Sequence, residues 1–388
     1  AIREVLPAKG GDGLLRYLEE NELMLTGGTV GSFFQACKRL GHSVEISERC
    51  WLGPVTRALQ TANSTPRDLS QALQGLSVLR GWSEEGKSAI AGVLARKIQV
   101  TDGKWCIRDI CIAFGGVRVL RDTSETRRVV KELSERLVET PDSIDGRAVG
   151  TILLGIQNLG ESPEVERLFQ SLQASIQANR PSLNHQEVGN ALYGLRSISE
   201  ISEDLENLLE SLGELLEDFH GELTSQEIGN AFYGLKGFSN MTPGVERVLS
   251  SLNNFLLSTG KPLSAQAISN SLYGLQDLLG DTRPLHPLLT QTLNQFSKAI
   301  EECTDTFTPQ AIANSLYALR LAENATDVVD PILMALAEKL RKSTDREEFS
   351  GQGFGMSLYA LHRLENSNGL RAVARAVAER VIPRVKGR

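Results

Sequence analysis

The sequence predicts an all-α protein: a right-handed α-α superhelix, or α-solenoid, of about nine helix-turn-helix repeats of roughly forty residues. Three observations predict it. A short motif recurs along the chain, helix-capping residues precede each copy at a fixed distance, and an amphipathic segment separates one copy from the next.

Five near-copies carry the motif: VGNALYGL (188–195), IGNAFYGL (228–235), ISNSLYGL (268–275), IANSLYAL (312–319) and FGMSLYAL (354–361). Their tyrosines, Tyr193, Tyr233, Tyr273, Tyr317 and Tyr359, follow one another at 40, 40, 44 and 42 residues. The same step taken backwards finds degenerate copies at 149–156, 110–117, 69–76 and 30–37. With the tyrosine as position 0, that place holds Leu154, Gly115, Gln74 and Gln35 in these four units.

Position −9 holds Thr26, Thr65, Cys106, Asp145, Asn184, Thr224, Ser264, Thr308 and Ser350, and eight of these nine suit an N-cap. Pro66 and Pro309 follow at the first helical position, and Thr224–Glu227 reads as a capping box. Position −5 is apolar throughout, from Val30 to Phe354. A helix is therefore expected from about position −8 to about +6, or four turns.

The intervening segments, such as 203–219, 244–258 and 328–342, are amphipathic and bounded by polar or Pro/Gly stretches. They supply the second helix of each unit. One unit cannot bury its stripe alone, so stacked neighbours must share a core. The expected organisation is an N-terminal capping segment (1–25), four degenerate repeats (26–183), five well-matched repeats (184–365) and a basic C-terminal capping helix (366–388).

A helical wheel places positions −5, −2, −1, +2 and +5 on the core side. Positions −4 and +1 hold small residues on opposite flanks, where like helices of neighbouring units must pass. The face left over carries −7, −3, 0 and +4, bordered by +3, and is expected to line the inside of the superhelix. Position −7 reads Gly28, Arg67, Arg108 and Arg147, then Gln186, Gln226, Gln266, Gln310 and Gln352. Position −3 includes Asn190, Asn230, Asn270 and Asn314. Position +3 includes Lys38, Arg118, Arg196, Lys236, Arg320 and His362.

Aromatic, amide and cationic side chains repeating on one face suit single-stranded RNA. Tyrosine can stack on bases, Arg and Lys can pair with phosphates, and carboxamides can bond base edges. The competing reading is architectural. Cations at +3 fall in the last turn and complement the helix dipole whatever they bind. The Asn and Tyr rows can bond and pack between units; this reading is favoured for Asn and stands level with the functional one for Tyr.

The stretch FTPQAIANSLYALRLA (307–322) closely resembles the octotricopeptide repeat, and 223–238 and 263–278 match almost as well. The resemblance covers five units well and the first four weakly, and extends to the heptatricopeptide repeats of FAST-kinase-like and RAP-domain proteins. It implies an α-solenoid that holds single-stranded RNA on its concave face in a mitochondrion or chloroplast, as transcript or ribosomal RNA, and acts without catalysis in transcript processing, stability or translation. The alternative it leaves is a protein-interaction scaffold, or a structural subunit of an organellar ribosome or similar assembly, with protein partners on an acidic outer face.

Composition limits the other classes. The chain of 388 residues carries 41 Lys and Arg against 48 Asp and Glu, which excludes a uniformly basic nucleic-acid binder but not a local basic stripe. Charge is uneven, at +3 over residues 1–140 and −10 over the remainder. No apolar run is long enough for membrane insertion. Five scattered cysteines without a CxxC pair favour a reducing compartment and argue against a zinc site. No P-loop, GxSxG or HExxH occurs, and the five histidines lack metal-ligand spacing, so neither enzyme, metal nor cofactor is expected. The chain opens Ala-Ile-Arg, which leaves room for a removed targeting segment.

Overall fold

The computed structural model describes residues 12–14, 16–17, 26–40, 46–61, 63–79, 81–280, 284–322, 325–343 and 349–385, the side chains of residues 27, 38, 40 and 381–385 excepted. Among the described residues all regular structure is helical. The chain divides into two compact units, residues 1–181 and 182–388. None of the described helices is long and apolar enough to cross a membrane.

Unit 1 contains α1 (Gly27–Leu40), α2 (Glu48–Thr61), α3 (Pro66–Gly75), α4 (Glu84–Val100), α5 (Ile107–Val117), α6 (Ser124–Glu139), α7 (Gly146–Gly155) and α8 (Pro163–Asn179). Unit 2 contains α9 (His185–Gly194), α10 (Glu203–Glu217), α11 (Ser225–Tyr233), α12 (Pro243–Ser258) and α13 (Ala265–Gly274). It continues with α14 (Pro287–Glu302), α15 (Pro309–Leu319), α16 (Thr326–Lys342), α17 (Gly351–Arg363) and α18 (Asn368–Val385). Odd-numbered helices carry the motif. Within each unit every odd helix packs on the next odd helix and every even helix on the next even one, giving two helical layers around a shared core. Of the proposed N-terminal cap, residues 12–14 and 16–17 are helical and the rest lies outside the described residues; α18 occupies the proposed C-terminal cap.

The capping residues act as read from sequence. Thr65, Asp145, Asn184, Thr224, Ser264, Thr308 and Ser350 each accept a backbone N–H three residues on. Capping boxes close at Thr65–Asp68, Asn184–Glu187 and Thr224–Glu227. Cys106 makes no such bond to the backbone; its thiol meets Asp109 Oδ2 at 3.2 Å.

Most motif helices are shorter than the four turns expected, and their last turn tightens. Just after α9 the amides of Leu195, Arg196 and Ile198 bond carbonyls three residues back, at 2.9, 3.3 and 2.9 Å. Leu235, Lys236 and Phe238 repeat this after α11. Three residues per turn eclipse side chains three apart. Positions +2 and +5 therefore enter the core together, as buried Leu195 with Ile198 and buried Leu235 with Phe238.

Neighbouring motif helices approach until backbone meets backbone. A Cβ added at Gly116 would lie 2.3 Å from Leu73 O, and one at Gly234 would lie 2.1 Å from Leu192 O. The small residue at +1 is thus a steric requirement. The cores are filled by Trp51, Phe33, Phe34, Phe114 and Phe169 in unit 1, and by Phe232, Phe238, Phe296 and Phe307 in unit 2.

Candidate nucleic-acid interface

In unit 2, positions −7, −3 and 0 share one face of each motif helix, as helical spacing dictates. The five tyrosines form one column. Ring centroids of successive residues from Tyr193 to Tyr359 lie 5.6, 6.0, 6.3 and 6.2 Å apart. These are contact distances for aromatic pairs, so the inner rings spend their faces on each other and leave no room for a base between them. This is the inter-unit packing that the architectural reading of the tyrosines expects. The inner rings are half-buried, and no hydroxyl of the five has a hydrogen-bond partner among the described residues. Burial pushes the Tyr233 phenol above its ordinary pKa, with Tyr193 and Tyr273 adding to the shift; Tyr273 is raised by burial and by Tyr317. Both phenols remain protonated donors at neutral pH.

The cations at +3 fold onto this column. Arg196 Cζ sits 4.3 Å from the Tyr193 centroid, and Arg320 Cζ sits 3.8 Å from that of Tyr317. Lys236 Nζ lies between two rings, 5.9 Å from Tyr233 and 5.6 Å from Tyr273. Arg320 also donates to Gln276 Oε1 at 3.1 Å and to Tyr317 O at 2.7 Å. Half-buried and held over π faces, these groups keep part of their surface exposed. His362 and Tyr359, at the end of the column, are exposed.

The carboxamides behave in the opposite way. Gln186, Gln226, Gln266, Gln310 and Gln352 are exposed, and Asn190, Asn230, Asn270 and Asn314 are half-buried beside them. None of these nine side chains makes a hydrogen bond among the described residues. The tyrosines thus contact one another along the unit, whereas the asparagines make no side-chain hydrogen bond among the described residues. The even spacing of the asparagines fits a bonded ladder as well as an open row. Spacing cannot distinguish a bonded row from an open one.

Unit 1 builds the same face differently. At position 0, Gln35 Nε2 donates to Gln74 Oε1 at 2.7 Å. Arg67 is committed to an ion pair with Asp109 at 2.9 Å, which removes it from the free cations. Arg108, Arg118 and Arg147 are exposed and form no ion pair among the described residues. The side chain of Lys38 lies outside the described residues.

Carboxylates border the face at the helix N-termini. Asp142 Oδ2 accepts from Ile107 N–H at 3.0 Å, and Asp305 Oδ2 accepts from Ala265 N–H at 3.3 Å, each from the following repeat. Glu227 Oε1 meets His185 Nδ1 at 2.5 Å. Burial alone would raise the Glu227 pKa, but the hydrogen bonds from His185 and Thr224 together hold it below the usual carboxylate value.

Comparison with protein-family models and with curated proteins gives no match. The functional reading of this chain therefore rests on the geometry of the face. That geometry offers many neutral donors and acceptors, a few cations and no group of His, Cys, Asp or Glu able to hold a metal among the described residues.

Proposed function

We propose that the chain binds single-stranded RNA along the exposed face of its motif helices, without catalysis. The observation that carries this reading is the double row of carboxamides in unit 2, five Gln and four Asn whose side chains make no hydrogen bond among the described residues. Open carboxamides suit base edges, whose donors and acceptors are exposed in single strands. Arg196, Lys236 and Arg320, with Arg108, Arg118 and Arg147 in unit 1, supply the phosphate contacts. The tyrosine column holds the spacing of the rows and offers hydroxyls. The right-handed winding, the count of about nine units and an organellar setting in mitochondrion or chloroplast belong to this proposal.

A salt titration tests it. Binding to a pool of single-stranded RNA at low salt is expected, with affinity falling as salt rises. Changing Arg196, Lys236 and Arg320 together to Glu should flatten the log–log slope by roughly 2, at about 0.7 per phosphate contact on a single strand. Absence of binding to any RNA at low salt overturns the reading and leaves the protein-interaction scaffold.

A further inference from the structure

One junction of unit 2 departs from the others. Between Tyr273 and Tyr317 the period is 44 residues, against 40 at the two preceding steps. A groove of about 520 Å³ opens there between the N-terminal halves of α13 and α15. This is within the range of roughly 300–1,000 Å³ typical of small-ligand sites. Gln266 and Asn270 line one side, Gln310 and Asn314 the other, with Asp305 at the end.

Ser269 sets this groove apart. It occupies position −4, where Gly189, Gly229, Ala313 and Gly355 stand in the other repeats of the unit. It lines the groove and is only 2% exposed as a residue; its hydroxyl has no hydrogen-bond partner among the described residues but is not shut off from solvent. A hydroxyl that faces an open groove can donate to and accept from a ligand placed there. Four open carboxamides and this hydroxyl thus converge on one space. The Asp305 carboxylate uses Oδ2 for Ala265 N–H and leaves Oδ1 to accept a further donor.

We infer that the groove between α13 and α15 is a pocket for a single RNA base carrying an exocyclic amino group, and that it discriminates against uracil, which has none. The inference rests on the RNA-binding reading and adds to it a place and a specificity. No Lys or Arg lines the groove, so its walls recognise a neutral ligand rather than a phosphate. Carboxamides pair with adenine through its amino group and ring nitrogen, and a carboxylate accepts from the amino group of cytosine. Uracil presents a carbonyl at the corresponding place, which Asp305 would repel.

The test is fluorescence anisotropy with oligoadenylate, oligocytidylate and oligouridylate of equal length and the full chain. Adenylate or cytidylate should bind about tenfold tighter than uridylate, the lower part of what one good bidentate pair discriminates. Asp305→Asn retains an acceptor for Ala265 N–H, and Ser269→Ala restores the small residue found at neighbouring junctions. Both variants should melt like the parent, and Asp305→Asn should bring the ratio close to one, with Ser269→Ala lowering it. Equal binding of the three oligomers, or a ratio that Asp305→Asn leaves intact, overturns the pocket while the RNA reading stands. Failure of all three oligomers to bind at low salt overturns both.

Discussion

The two units solve the same packing problem and finish it with different chemistry. In each, a glycine at +1 lets a motif helix rest on the backbone of its predecessor, as Gly116 does on Leu73 and Gly234 on Leu192. Position 0 then holds a hydrogen-bonded Gln35–Gln74 pair in unit 1 and a column of tyrosine rings in unit 2. Position −7 holds Gly28 and three arginines in unit 1, and in unit 2 five glutamines that make no side-chain hydrogen bond among the described residues. The scaffold fixes the small flanks and the apolar stripe, while the outward positions are free to vary. A uniform row on such a face is therefore informative, because packing alone does not demand it.

The largest expected effect separates the two versions of position 0. Tyr273→Ala removes a half-buried ring with partners on both sides and should cost about 2–3 kcal/mol. Gln74→Ala removes one hydrogen bond and should cost about 1 kcal/mol. Thermal melts of the two variants check the contrast. Equal losses would mean that the column is not what stiffens unit 2.

The shared scaffold is tested next. Gly116→Ala and Gly234→Ala each drive a methyl group against a neighbouring backbone and should destabilise by about 1–3 kcal/mol, alike in both units. Gly355 is the control, since a Cβ there would meet nothing within 4 Å. Gly355→Ala in α17 should leave stability unchanged or raise it by about 0.5–1 kcal/mol, because alanine is the better helix former. A loss at Gly355 as large as at Gly234, measured by urea unfolding, would contradict the steric account.

The smallest effect is a pH dependence. Glu227 has its folded pKa depressed, so the stability it contributes is present above the carboxylate value of the unfolded chain and is lost as pH falls through the folded value. Asp122 in unit 1 is depressed in the same way, first by its hydrogen bonds from Arg127. Glu227→Gln should therefore reduce the acid-side loss of stability and leave the Asp122 contribution in place. Urea midpoints measured from neutral to acidic pH read this directly.

The helical-repeat architecture was legible in the sequence because its causes are local and periodic. Caps at position −9, apolar residues at −5 and small residues at +1 recur, and each states its own physical role. The helix ends were less legible, since a tightened turn after Leu195 keeps Ile198 in the core just as a continued helix would. The candidate face was legible as a set of positions but not as a set of free groups. Arg67 has the spacing of a ligand-binding cation, and its partner Asp109 comes from the next repeat.

By itself, then, the sequence determined which residues are helical, which face is buried and which residue types line the open face, because these depend on neighbours three and four positions away. Only the tertiary structure decided that the tyrosine rings contact one another and that the asparagine side chains make no hydrogen bond among the described residues. It alone decided that Ser269 and Asp305 border one groove. Those outcomes depend on distances between side chains some forty residues apart in the chain, set by how closely one helix lies on the next.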